Sequence, residues 1–86
     1  MRILVIDDDV DGADALAALL TQSGHDVAVA YEGTRALALS VAAEAAIVDL
    51  TMPGMDGFEL ARQLRLAYGV GLRLIAFSGR DDDATR

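Results

Sequence analysis

The sequence contains no cysteine, so neither a disulfide framework nor thiolate chemistry is open to it. It has no lysine and no tryptophan, a single proline, and all seven of its basic residues are arginine. Fourteen acidic residues outnumber those seven and leave a net charge of −7. That balance argues against a nucleic-acid or anionic-membrane surface, both of which need clustered positive charge. It suits a site that gathers cations. No apolar run is long enough to span a bilayer. The start, Arg2 followed directly by Ile3-Leu4-Val5-Ile6, is too short for a signal peptide, so the expectation is a cytoplasmic chain that touches neither membrane nor nucleic acid. At 86 residues there is room for one domain. The 53% hydrophobic content is enough for a core, although small domains bury proportionally less surface.

What is present is an alternation of two periodicities. "RILVID" (2–7) is a short apolar run with β-branched residues and reads as a strand buried on both faces. From Asp11 to Ser23 the pattern becomes helical, with Leu16, Leu19 and Leu20 on one stripe and Gly24 as the stop. "DVAVA" (26–30) reads as a second strand, and "GTRALALSVAA" (33–43) as a helix with Thr34 as its N-cap. "EAAIVDL" (44–50) contains a third strand. "TMPGMDG" (51–57) is a loop, since Pro53 and Gly54 break regular structure. "FELARQLRLAY" (58–68) is helical, with Phe58, Ala61 and Leu64 on one stripe, and "LRLIAFSG" (72–79) is a fourth strand. Phe58, Leu60 and Leu64 are expected in the core. The lone histidine, His25, reads as an exposed turn residue.

Strands alternating with helices imply an α/β fold with a parallel sheet and helices on both faces. Ligands of such sheets sit outside the carboxyl ends of the strands, at the switch point of strand order. Strand one ends in Asp7, Asp8 and Asp9, strand three in Asp49 and strand four in Ser78. Residues far apart in sequence are thereby brought to one edge.

Taken alone, each piece has a plain structural reading. Asp49 before a Pro-Gly loop can be a turn residue, and the aspartates after strand one can be a solvated helix N-terminus favoured by the dipole. A calcium loop fits the start of "DDDVDG", but it needs a bidentate Glu at its last position, where Ala18 stands. The D-x-D of Asp7 and Asp9, with "LIAFSG", resembles the haloacid-dehalogenase-type phosphatases and would make Asp7 a nucleophile. That reading leaves Asp49 and "MPGMDG" without a role. All the pieces together, with "DLTMPGMDGFEL" as the most specific stretch, resemble the receiver domain of two-component response regulators over the whole chain. "DGADALAALL" and "GHDVAVAYEG" further resemble receivers attached to hybrid histidine kinases.

The resemblance implies a flavodoxin-like, doubly wound parallel sheet of strand order 2-1-3-4. It implies that Asp49 accepts a phosphoryl group from a histidine kinase, a phosphotransfer protein or a small phosphodonor, with Mg2+ as cofactor. The metal ligands would be Asp8, Asp49 and the Thr51 backbone carbonyl, with Asp7 as an outer partner. Met52, Pro53, Gly54, Asp56 and Gly57 would form the adjoining loop. Ser78, beside Gly79, would bind a phosphoryl oxygen and move as the switch. Such a domain is a phosphorylation-controlled binding module, not an enzyme in the usual sense. A pseudo-receiver, which keeps the fold as an interaction surface without accepting phosphate, is the remaining alternative. The family's fifth βα unit carries a Lys and an aromatic switch residue that have no counterpart here, so residues 1–86 are expected to be a truncated receiver. Strand four would then be an exposed edge, and exposed edges invite pairing; a homodimer through that edge or by a swap is expected.

Overall fold

A computed structural model describes residues 1–39, 43–50 and 57–77. The chain runs β1 (Arg2–Ile6), α1 (Val10–Gln22), β2 (Asp26–Ala30), α2 (Gly33–Leu39), β3 (Ala45–Asp49), α3 (Gly57–Tyr68), a 3-10 turn (Gly69–Gly71) and β4 (Arg73–Phe77). The four strands form one sheet of order β2-β1-β3-β4 with every pair parallel. This is the flavodoxin-like order that the family resemblance implied. Ile6 lies beside Ala30 on one side and Val48 on the other, so the carboxyl ends of β1 and β3 are adjacent.

Alternation along β1 divides the core between the two faces of the sheet. Leu4 and Ile6 join Ala46 and Val48 on one face, where α2 supplies Ala36 and α3 supplies Leu60 and Leu64. Ile3 and Val5 join Ala45 on the other face, which α1 covers with Ala13 and, less deeply, Leu16 and Leu20. Burial of leucines such as Leu60 and Leu64 contributes about 1.5–3 kcal/mol each, and both are almost fully enclosed.

Each helix has a local reason to start or stop. Asp9 is the N-cap residue of α1 in extended conformation. The helix ends at Ser23, and Gly24 follows with φ 96°, the left-handed geometry that a side chain resists and glycine accepts. At the end of α3, the Arg65 guanidinium donates to the carbonyls of Gly69 (2.5 Å) and Leu72 (2.6 Å). It satisfies orphan carbonyls where the chain turns toward β4.

Several sequence expectations are corrected. Leu19 is 62% exposed; the stripe that faces the sheet is Ala13, Leu16 and Leu20. Phe58 is 69% exposed. The buried face of α3 is Gly57, Leu60 and Leu64, and Phe58 lies one residue, about 100°, round from Gly57. Thr34 does not cap α2, which begins at Gly33; its hydroxyl donates to Glu32 Oε1 at 2.8 Å. α2 is described over Gly33–Leu39, residues 40–42 of the expected helix lie outside the described residues, and Ala43 is not helical. His25 is half-buried. Its backbone N–H donates to Leu20 O, and its Nδ1 is enclosed with no hydrogen-bond partner.

Candidate functional site

The site is built at the switch point between β1 and β3. Asp7 follows β1 directly, and its N–H donates to Ala30 O on β2 at 3.1 Å. Asp49 is the last residue of β3, paired with Phe77 of β4, and the next N–H, of Leu50, donates to Phe77 O at 2.8 Å. Both carboxylates therefore stand on backbone held from a neighbouring strand, where adjacent strands are about 5 Å apart. Asp7 is 8% exposed and Asp49 5%. Among the described residues these two are the buried charged side chains. Asp8, at the bend between β1 and α1, is exposed. One oxygen from each of Asp7, Asp8 and Asp49 lies within 4.8 Å of the others.

Like charges held this close perturb one another. The Asp7 carboxyl is pushed from its ordinary value of 3.8 up to about 6. Burial is the main cause, followed on the raising side by a hydrogen bond with the Asp49 side chain and the negative charges of Asp49 and Asp8. The Asp9 N–H, 3.0 Å from Asp7 Oδ1, pulls the other way. This is a trio of hard oxygen donors whose charge is held at a cost, and it fits a small divalent cation. Oxygens sharing one octahedral Mg2+ at 2.0–2.1 Å lie about 3 to 4 Å apart, so from a limit of 4.8 Å the trio would close by up to about 2 Å. The groove lined by Tyr31, Glu32, Thr34 and Arg35 lies beside α2 and includes none of the three aspartates.

The remaining residues expected at this edge, Thr51, Met52, Pro53, Gly54, Asp56, Ser78 and Gly79, lie outside the described residues. Gly57 is described, and it is closer to the chemistry than a loop position implies. A Cβ on Gly57 would meet Leu50 Cα at 2.5 Å and Asp49 O at 2.7 Å. The signal in sequence was only "MDG"; nothing in the letters says that this glycine touches the backbone of Asp49.

A family model described as the response regulator receiver domain matches residues 3–86. The chain belongs to that family. The match decides between the readings of the acidic cluster in favour of the receiver over the phosphatase-type one. Among curated proteins, the response regulator MprA of Mycobacterium avium (strain 104) is 38% identical over 88 residues. The alignment takes in all of this chain and 38% of that protein, so the chain spans well under half the length of such relatives. The MprA of Mycobacterium tuberculosis (strain H37Rv) is 36% identical with the same coverage. Among solved structures, response regulator TrrA of Thermotoga maritima in complex with Mg2+-BeF superposes with a TM-score of 0.84 at 28% identity, covering 94% of this chain and 71% of that one. The complex of histidine kinase ThkA with TrrA gives 0.82 at 28% identity, over 99% and 74%. Receiver domains are signalling domains, and no helix among the described residues is long and apolar enough to cross a membrane.

Proposed function

We propose that this receiver accepts a phosphoryl group on Asp49 in a two-component phosphorelay, with Mg2+ held at the acidic edge. The observation that carries the reading is the convergence of Asp7, Asp8 and Asp49 within 4.8 Å at the switch point of a receiver fold. Asp8, Asp49 and the Thr51 carbonyl would hold the ion, with Asp7 beside it. A bound Mg2+ supplies neutralisation of the anionic transferring group. The rest is the chain's own work. An Asp49 oxygen forms the bond to phosphorus as the bond from phosphorus to the donor histidine nitrogen breaks, and burial keeps competing water away from the acyl phosphate. Ser78 would take a phosphoryl oxygen through its hydroxyl and report the event by moving, a shift of populations driven by contacts that exist only in the phosphorylated state. The donor would be a histidine kinase or phosphotransfer protein. That role is supported by the structural likeness to TrrA bound to ThkA.

Two further parts of the reading rest on less. The chain would work in the cytoplasm as one receiver domain. It would also self-associate through β4, which among the described residues stands at the sheet edge with Ile75 53% exposed; a monodisperse monomer in light scattering at high concentration removes that part.

The test of the central claim is intact mass after incubation with acetyl phosphate and Mg2+. A gain of one phosphoryl group is expected in the wild type, and no gain in Asp49→Ala or with EDTA. A gain that persists in Asp49→Ala and disappears in Asp7→Ala would return the chemistry to the phosphatase-type reading. No gain in a chain that circular dichroism shows folded would leave a pseudo-receiver.

A further inference from the structure

We propose that Gly57 is a positioning residue for the cation site. Its lack of a side chain sets where Asp49 stands relative to Asp7 and Asp8, and so sets the fit to a divalent ion. The inference rests on the receiver reading above. Gly57 is the first residue of α3 and is buried. A Cβ there would lie 2.5 Å from Leu50 Cα, 2.7 Å from Asp49 O and 3.1 Å from Leu50 C. Ordinary contact begins near 3.4 Å, so the first of these is short by about 0.9 Å. All three are backbone atoms, and no rotamer change relieves them.

One of the two bodies must move. α3 is a helix of 12 residues whose Leu60 and Leu64 are enclosed among Leu4, Ile6, Ala46 and Val48. Where β3 ends, Asp49 pairs with Phe77 and the Leu50 N–H donates to Phe77 O. The contact falls on the Asp49–Leu50 peptide itself, and the Asp49 carbonyl oxygen is one of the atoms that must shift. Asp7 and Asp8 take no part in that contact; they follow β1, and Asp7 is bonded to Ala30 on β2. A methyl at 57 thus becomes a displacement of Asp49 away from its partners. Among the described residues, the other glycine near the site behaves differently. A Cβ on Gly12 would meet only the Asp9 carboxylate, with Oδ2 at 2.7 Å and Cγ at 3.3 Å, and that side chain rotates away.

The experiment compares Mg2+ affinity by isothermal titration calorimetry in the 86-residue chain, as wild type, Gly57→Ala, Gly12→Ala and Leu64→Val. Thermal melts in EDTA report the fold separately. Gly57→Ala is expected to weaken Mg2+ binding by about tenfold or more, the size seen when groups that orient metal ligands are lost. Gly12→Ala and Leu64→Val are expected to stay within about twofold, although Leu64→Val lowers the melting temperature through lost core contact. Wild-type affinity in Gly57→Ala overturns the inference while leaving the receiver reading intact. So does a Gly57→Ala chain that stays unfolded at low temperature, since the glycine would then serve the fold and not the site. Equal weakening in Leu64→Val overturns it too, by making the effect one of general stability. A folded wild type that binds no Mg2+ removes the proposed Mg2+-dependent phosphoacceptor role itself, and this inference with it.

Discussion

The two ends of the sheet handle carboxylates in opposite ways. At the amino end, Glu44 sits just before β3 and accepts from the Arg2 N–H at 2.7 Å. That bond comes first among the influences that hold its pKa below the ordinary range, and the charges of Arg2, the N-terminus and Arg73 act in the same direction. At the carboxyl end, Asp7 stands beside Asp49 and Asp8 and is pushed the other way, to about 6. One end is complementary and finished. The other is built of like charges that only a cation or a proton relieves. Evolution has no structural reason to keep buried, mutually repelling carboxylates; perturbed groups of this kind mark working sites. The contrast separates a carboxylate that holds β1 to β3 from carboxylates that wait for a ligand.

The strongest way to break the contrast is Asp7→Asn. In the metal-free chain at neutral pH, the raised pKa means that folding pays for an ionised Asp7. A shift from 3.8 to about 6 at 1.36 kcal/mol per unit gives roughly 3 kcal/mol as an upper figure. The substitution removes a charge and keeps the shape, so melting in EDTA at neutral pH is expected at a higher temperature than wild type. Unchanged or lower stability would mean that the repulsion is already relieved within the folded chain.

Next in size is the response to Mg2+ and pH. The folded state holds the Asp7 proton more tightly than the unfolded state. The group is therefore neutral in both states below about 3.8 and penalises the fold increasingly as pH rises toward about 6. Above that pH the penalty is complete and constant. Saturating Mg2+ is expected to raise the melting temperature above about pH 6, in proportion to the logarithm of its concentration over its dissociation constant. The increment should fade toward pH 4, where Asp7 is protonated and cannot serve a cation. A Mg2+ increment of equal size at both pH values would show that the ion binds elsewhere.

How far this arrangement was legible depended on the range of the cause. Repeating local causes were read correctly. The β-branched run became β1, the Ala-Val run became β2 with its bounds intact, and Gly24 ended α1 in the left-handed geometry that favours it. Strand order came from the family resemblance, and the meeting of Asp7, Asp8 and Asp49 followed from a parallel sheet, since parallel strands put their carboxyl ends together. What depended on a specific neighbour was missed. Phe58 is apolar and helical, yet Gly57 and not Phe58 faces β3, because only glycine fits against Leu50. Leu19 has a core residue's chemistry but points away from the sheet. Periodicity fixes a stripe to within one residue in a turn, and contact decides which edge of the stripe is buried.

The smallest effect belongs to the finished end, and it has the opposite sign. Glu44 is exposed, so its interactions are screened by solvent and salt. Its lowered pKa means that its contribution is present above the ordinary value of 4.5 and is lost as pH falls through the folded value. Glu44→Gln removes the charge but leaves an oxygen able to accept from the Arg2 N–H. A slight loss of stability is expected at neutral pH and low salt, vanishing at high salt and once acid has protonated Glu44 in the folded chain, with no change in Mg2+ affinity. If Glu44→Gln stabilised the metal-free chain as Asp7→Asn is expected to, the gain would come from lowering a net charge of −7 and not from the acidic edge. The comparison between the two ends would then reduce to charge counting. Opposite signs from two neutralised carboxylates on one small sheet can come only from where each stands.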